Sequence, residues 1–398
     1  MKKPELLAPA GDMEKLETAL YFGADAVYFS GNRLTLRAFS ANFDDGQIKK
    51  AIDLVHDRGK KAYVALNAIA HNRDLPGLSE DIGRLSAFEA DGVIVSDLGI
   101  IRAIRQTAPE LDVHLSVQAS CCNSLAANAY YELGVRRIIL SRELSLEEIR
   151  QIRRETPRDL KLEVFVHGAM CMAYSGRCHL SHVMTGRDAN AGACAQPCRW
   201  RYGLVEEKRP GVYYPIEQDG RGSYVLSARD LCMIRHIREL REAGVDSFKI
   251  EGRMKSVYYV GNVVNAYRRA IDGTNDEETL YRELEKSSHR PYDTGFFFGR
   301  PDSDYDVGAY EQDYDFVAVV REYDAARGRV VVEQRNAFSV GDCLELLSPH
   351  SFGTTFSVEA LRGPQGERLE RAILPQQEVS FDCEETLRPM DILRRRRK

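Results

Sequence analysis

Residues 136–155, RRIILSRELSLEEIRQIRRE, hold the unit from which the fold can be read. A short apolar run, RRIILS, is followed by a segment with helical periodicity. Ser145 stands where an N-cap belongs, and Glu148, three residues on, is its capping-box partner. The order is strand, short loop, capped helix, which is half of a parallel β–α–β unit.

The same rhythm runs through the first 270 residues. The apolar runs are ELLAPAG, ADAVYFSG, KAYVALN, GVIVSD, VHLSVQAS, RRIILS, KLEVFVHG and SFKIEGR. Between them lie amphipathic segments such as MEKLETALYFG, with Leu16, Ala19 and Leu20 on one face and Gly23 placed for a left-handed C-cap. Eight strand signals, each followed by a helix signal, predict an α/β chain whose parallel sheet closes into a (β/α)8 TIM-like barrel. An open doubly wound sheet is the alternative, but neither G-x-G-x-x-G nor G-x-x-x-x-G-K-[ST] occurs.

One interval breaks the rhythm. After the seventh strand, residues 168–227 pass before the next helical signal, SARDLCMIRHIRELREAG. In a barrel that loop lies on the C-terminal face, where active sites are built, and a loop so long needs something to organise it. Beyond residue 300 the runs DFVAVVREYD, GRVVVEQRN, DCLELLSP and TTFSVEALRG are short, β-like and separated by turn residues. The expected organisation is a barrel over 1–300 and a small all-β, barrel-like domain over 301–398, with TGFFFGRPDSDYD as the connector.

The chain has 398 residues, a hydrophobic content of 43% and a formal charge of −5. These values suit a well-cored protein, and no apolar run is long enough for a signal peptide or a membrane span, so a cytoplasmic location is expected. The net charge does not announce a nucleic-acid partner, although RNA contact needs only a local basic surface. The terminal RRRRK and the basic residues of GRMKS and AYRRA read as a solvated tail and a solvated helix face.

Four of the nine cysteines, Cys171, Cys178, Cys194 and Cys198, fall inside the insertion. In a reducing compartment such crowding points to metal or to chemistry rather than to disulfides. Structural zinc prefers two close pairs, and only Cys194 and Cys198 form one. Iron–sulfur ligation tolerates irregular spacing, which favours it without closing the zinc alternative. Arg177, Arg187 and Arg199 would offset the charge of four thiolates. A cysteine nucleophile stays open too, because His167, His179 and His182 are near in sequence. Cys232, in the helical signal after the insertion, is a possible fifth thiol, and Cys121 and Cys122 follow the fifth strand. The lone Cys343 and Cys383 read as packing.

EVFVHGAMCMAYSGRCHLS, with GADAVYFSG, RDANAGACAQPCRW and KIEGRMKS, resembles the signature of peptidase family U32, the collagenase-like proteins. The resemblance runs along most of the chain, the trailing β domain included. It implies an iron–sulfur protein that hydroxylates without molecular oxygen. In members with this length and the Cys194–Cys198 pair, the implied product is 5-hydroxyuridine at the wobble position of tRNA, with prephenate as co-substrate. It further implies that Cys171, Cys178, Cys194 and Cys198 hold a 4Fe–4S cluster, and that the partners are the anticodon loop, a small-molecule hydroxyl donor and an electron donor. Ribosomal RNA cytidine hydroxylation and a collagenase-like peptidase are the alternatives. The peptidase lacks support in the sequence, which contains no H-E-x-x-H and no G-x-S-x-G.

Placement at strand ends marks Arg253, Glu251, Lys249 and His167 as the candidate catalytic set, with Arg142 and Glu143 next. The arginines suit the carboxylates of prephenate. His71, Gln118 and His167 are candidates to hydrogen-bond a base splayed from its loop, and the β domain is a candidate grip on phosphates.

Overall fold

The computed structural model describes residues 3–36, 42–171, 173–174, 178–200, 203–205, 213–215, 229–299 and 311–397. Seven parallel strands come first: β1 (Glu5–Pro9), β2 (Ala26–Phe29), β3 (Lys61–Leu66), β4 (Gly92–Val95), β5 (Val113–Leu115), β6 (Val135–Ile139) and β7 (Lys161–Ala169). A small antiparallel pair, β8 (Gly203–Val205) and β9 (Tyr213–Pro215), lies within the insertion. Then come β10 (Asp230–Cys232) and β11 (Ser247–Ile250). Strand β11 pairs in parallel with both β7 and β1, which closes the barrel. All eight apolar runs contain a barrel strand.

Helices α1 (Met13–Tyr21), α2 (Asp45–His56), α3 (Leu78–Ala87), α4 (Leu98–Thr107), α5 (Ser124–Glu132) and α6 (Leu146–Glu155) follow the first six strands in turn. Five of them begin on a side chain that accepts from the first turn. Asp12, Asp44, Asp97, Asn123 and Ser145 take the backbone N–H of Lys15, Gln47, Ile100, Ala126 and Glu148. At Ser145 the capping box is complete, as the sequence requires. These caps sit where the chain leaves the C-terminal ends of the strands, so they also fix the loops around the barrel mouth.

Strand β7 has nine residues, more than any other barrel strand, and its end runs on past the barrel. There β10 pairs with it antiparallel, setting Cys232 opposite His167 and Asp230 opposite Ala169, and β12 (Tyr292–Asp293) adds to β10 in parallel. This corrects the expected helix over SARDLCMIRHIRELREAG. Among its described residues, 230–232 are strand, Ile234–His236 are a 3-10 turn, and only Ile237–Glu242 are α-helix. The reason is Asp230: it is buried and receives both the backbone N–H and the guanidinium of Arg290, at 3.2 and 3.0 Å. That pair holds the segment in the sheet.

A charged layer fills the barrel's lower interior. Arg137 on β6 bonds Glu5 of β1 and Glu163 of β7, and Glu163 takes the Lys249 ammonium at 3.0 Å. Tyr63 donates to Glu5 at 2.8 Å and stacks edge-on with His114. Each residue points inward because strand side chains alternate. Burial alone would raise the Glu5 carboxyl, but Arg137, Tyr63 and Ser247 hold it below its ordinary range. Burial, with the charges of Arg137 and Lys249, keeps His114 well below the usual imidazole range and therefore neutral.

The chain forms two compact units: Met1–Leu16, Asp25–Met254 and His289–Tyr310 make the first, and Glu17–Ala24, Lys255–Ser288 and Glu311–Lys398 the second. The second carries an eight-stranded sheet whose pairings are antiparallel, over a core that includes Val320, Val332, Phe338, Phe381 and Leu393. It also holds two helices, Val257–Asp272 and Glu277–Glu285. The terminal arginines are a solvated tail only in part. Arg394, Arg395 and Arg396 lie on the strand Ile392–Arg396, where Arg394 is buried and bonds Glu283, Glu345 and Asn262, while Arg396 and Arg397 are exposed. Nor is AYRRA a solvated face, since Arg269 donates to the carbonyls of Ser348, Pro349 and Ser351. Among the described residues no helix is long and apolar enough to cross a membrane.

Candidate active site

Two glycines let the mouth of the barrel close tightly. A Cβ on Gly11 would lie 2.2 Å from the Arg253 carbonyl oxygen, and one on Gly168, at φ +111°, 2.5 Å from that of Glu251. Only glycine permits both the approach and the conformation. The backbone after β11 is thereby pressed against the loop after β1 and the end of β7, and the Glu251 N–H donates to the His167 carbonyl at 2.9 Å.

Arg253, Glu251 and Lys249 converge on one ring. Tyr28, at the end of β2, donates to the Ile250 carbonyl at 3.0 Å and reaches the Glu251 carboxylate at 3.4 Å. The Lys249 ammonium lies 4.2 Å from the centre of its ring and the Arg253 guanidinium 6.0 Å away. Arg253 also donates to Ser30 at 2.5 Å. Lys249 is buried inside the barrel against Glu163, so it supports this group from below rather than meeting a substrate. Burial pulls its ammonium below the ordinary lysine range, against the attraction of Glu163.

Across the mouth, Arg142 lies 3.8 Å over the Phe165 ring and donates to the Ala169 carbonyl at 2.8 Å, while Glu143 is held by Ser141. The His167 side chain is turned to one side: it is buried, with its ring 5.3 Å from that of Tyr292, which in turn stacks on His289 at 4.5 Å. His71 is exposed at the start of a short turn after β3, and Gln118 is half-buried after β5. Neither joins the Tyr28 group in any described hydrogen bond. Tyr28, Ser30, Glu163 and Tyr292 are the residues that sequence reasoning missed. Tyr28 and Ser30 lie inside the quoted run ADAVYFSG, where two hydroxyls beside apolar residues carry no chemical signal of their own.

The insertion begins where β7 ends. Its described part holds helix α7 (Leu180–Thr185) and a turn at Pro197–Arg199. Asn190 Nδ2 donates to the Cys178 carbonyl at 3.0 Å, the Ala195 N–H to Ser181 at 2.9 Å, and Arg187 Nε to the Ala193 carbonyl at 3.0 Å. Tyr174 reaches back to Cys122 on the β5 loop, hydroxyl to sulfur 3.5 Å, and that contact pushes the phenol up to about 12.

All nine cysteines are free thiols. Cys171 and Cys194 are exposed, and Cys178 and Cys198 half-buried. As a donor set, four unbridged thiols on one loop suit a thiophilic metal or an iron–sulfur cluster. Among the described residues no three His, Cys, Asp or Glu side chains are gathered about one point. Cys232 is buried in β10 rather than turned outward from a helix, and burial raises the Cys121 thiol to about 11.

The sequence profile of Peptidase family U32 matches residues 11–306, and that of the family's C-terminal domain matches residues 312–394. The chain belongs to peptidase family U32. Among its U32 relatives, it is 39% identical over 405 residues to the tRNA hydroxylation protein P1 of Bacillus subtilis, covering 99% of this chain and 95% of that one. It is 37% identical over 417 residues to the tRNA hydroxylation protein P of Escherichia coli, covering 93% and 91%. The 23S rRNA 5-hydroxycytidine C2501 synthase of Escherichia coli is 37% identical over 273 residues, which are 69% of this chain and 40% of the synthase.

Proposed function

We propose that this protein hydroxylates RNA, with the wobble uridine of tRNA as substrate, 5-hydroxyuridine as product and prephenate as co-substrate, in the cytoplasm. The observation that carries the reading is the coincidence, at one end of a closed barrel, of the Arg253 group and the thiol-bearing insertion. The match to tRNA hydroxylation proteins along nearly the whole chain supports the substrate, while the rRNA synthase extends well beyond the matched region.

Replacing C5–H of uridine by C5–OH removes two electrons from the base, which side chains do not accept, so a cofactor is required. Cys171, Cys178, Cys194 and Cys198 would hold a 4Fe–4S cluster, which supplies one-electron chemistry when bound. The rest falls to the chain's own residues. Arg253, held by Ser30 and beside the Tyr28 ring, would take a carboxylate of the co-substrate as a paired hydrogen bond. Arg142, fixed over Phe165, would take a second one. The uridine has to leave its loop to reach the mouth, as base-modifying enzymes require.

Nucleoside mass spectrometry is the test, on tRNA from a host without its own tRNA hydroxylation proteins. Expression of this chain should restore 5-hydroxyuridine, and expression of Cys171→Ala should not. Restoration of 5-hydroxycytidine in rRNA instead would move the substrate to the ribosome. Cleavage of a defined peptide, abolished by one Cys or Ser substitution, would replace the reading with a peptidase.

A further inference from the structure

Two side-chain bonds cross the inside of the barrel at its mouth. Arg253, beyond β11, donates to Ser30, beyond β2. Asn67, the residue after β3, donates through Nδ2 to Ser116 Oγ, beyond β5, at 3.1 Å. In each case one strand, β1 or β4, stands between the two that are joined. The side chains therefore meet across the interior, as the alternation from Tyr63 to Asn67 and from His114 to Ser116 requires.

The second bond leaves its amide incomplete. Asn67 Oδ1 is buried and accepts no hydrogen bond among the described residues, and Nδ2 uses one of its two hydrogens on Ser116. Ser96 does not fill the gap, because its hydroxyl donates to the Asn67 backbone carbonyl at 3.2 Å. Native proteins seldom leave a buried acceptor unmet. The thiol-bearing insertion reaches this sector too. It departs from β7, which stands opposite β3 in the ring of eight strands, yet its Asn190 carbonyl accepts from the Ile69 N–H at 3.3 Å, two residues beyond Asn67.

What the amide offers is an unmet acceptor beside a second Nδ2 hydrogen. The carboxylates of a co-substrate carry no proton to give to Oδ1. Uracil does: its N3–H is a donor beside the O4 acceptor, so N3–H to Oδ1 and Nδ2–H to O4 form a paired contact. Cytosine presents the reverse order, an acceptor at N3 and a donor at N4. It can pair with the same amide only with its C5 carried to the other end.

We infer that Asn67 reads the uracil edge and thereby selects uridine over cytidine as the base that is hydroxylated. This rests on the RNA-hydroxylation reading above and adds to it the group that chooses the base. Ser30 and Asn67 follow neighbouring parallel strands, so a base on Asn67 would lie beside a carboxylate held by Arg253.

The test removes the one hydrogen at issue. Anticodon stem-loops with uridine, 3-methyluridine or cytidine at the wobble position are offered to the full-length protein with its co-substrate, and the hydroxylated nucleoside is counted by mass spectrometry. With the parent, 3-methyluridine and cytidine should each react about thirtyfold more slowly than uridine, within the roughly 5- to 150-fold that one paired contact commands. Asn67→Ala should slow uridine by a similar factor and leave the KM for the co-substrate unchanged. It should also treat uridine and 3-methyluridine alike to within about twofold, because the two changes remove the same contact. Asn67→Asp, which keeps the acceptor and the shape, should be slower than the parent but still prefer uridine to 3-methyluridine. Equal rates on uridine and 3-methyluridine with the parent, or an undiminished preference in folded Asn67→Ala, overturn the inference while the proposed function stands. No hydroxylation of the uridine stem-loop overturns both.

Discussion

The barrel interior and the cysteine-bearing insertion share one strand, β7, and treat their polar side chains in opposite ways. Below, Glu163 is fully buried and divides its two oxygens between Arg137 and Lys249, so that the charges there are met by protein. Above, the thiols beyond the end of β7 are exposed or half-buried and unbridged, and Tyr174, Val183, Met184 and Trp200 among them are exposed. A buried charge left unmet costs several kcal/mol, so the interior must complete itself during folding. Thiols at the surface carry no such penalty. The lower half reads as framework and the upper half as working surface.

Breaking each half should therefore produce different losses. At the mouth the loss is one of activity. Arg253→Ala should lower kcat/KM for the hydroxyl donor by about a hundredfold, from about 3 kcal/mol lost with a charge-assisted pair, and Arg253→Lys should recover only part. Steady-state kinetics with varied co-substrate measures both. In the interior, Glu163→Ala leaves Arg137 and Lys249 facing each other and should cost about 3–5 kcal/mol in urea unfolding. Cys178→Ala, in the insertion, should change that stability by no more than about 0.5 kcal/mol.

Acid should separate the halves in the same sense. Glu5 is held below its ordinary value in the fold, so its contribution is present above the unfolded carboxylate range and lost as pH falls through the folded value. His114 is held neutral, so below an unfolded value near 6.5 the unfolded chain binds a proton that the fold refuses, and stability declines further. Melting temperatures between pH 7 and pH 4 should fall steadily, and His114→Phe should flatten the part of the slope below 6.5. The cap contributes modestly: Ser145→Ala should cost about 1 kcal/mol without touching hydroxylation.

The halves also differ in how far the sequence discloses them. Barrel strands announce themselves as apolar runs, and Ser145 with Glu148 declares a helix start within four residues, because those signals are local. The charged layer is not local: Arg137 meets Glu5 across 132 positions, and nothing within KLEVFVHG says what the carboxylate of Glu163 will face. Cys232 was misplaced on a helix for the same reason, since the Asp230–Arg290 pair that keeps it in a strand spans 60 positions. The terminal RRRRK gave no hint that Arg394 is buried against Glu283, 111 positions earlier. Of the site, the thiols and Arg253 were legible from residue type and placement. Tyr28 and Tyr292 were not, because what they do depends on which rings the fold sets beside them.

The central claim is that the insertion's four thiols hold a redox cluster that the barrel does not need in order to fold. Iron, zinc and sulfide should be counted on anaerobically purified protein, alongside its melting curve, for the parent and for alanine at each of Cys171, Cys178, Cys194 and Cys198. The parent should carry about four irons with matching sulfide per chain, and each variant should lose them while melting as a folded protein. A parent that contains no iron, yet still makes 5-hydroxyuridine, would contradict the claim.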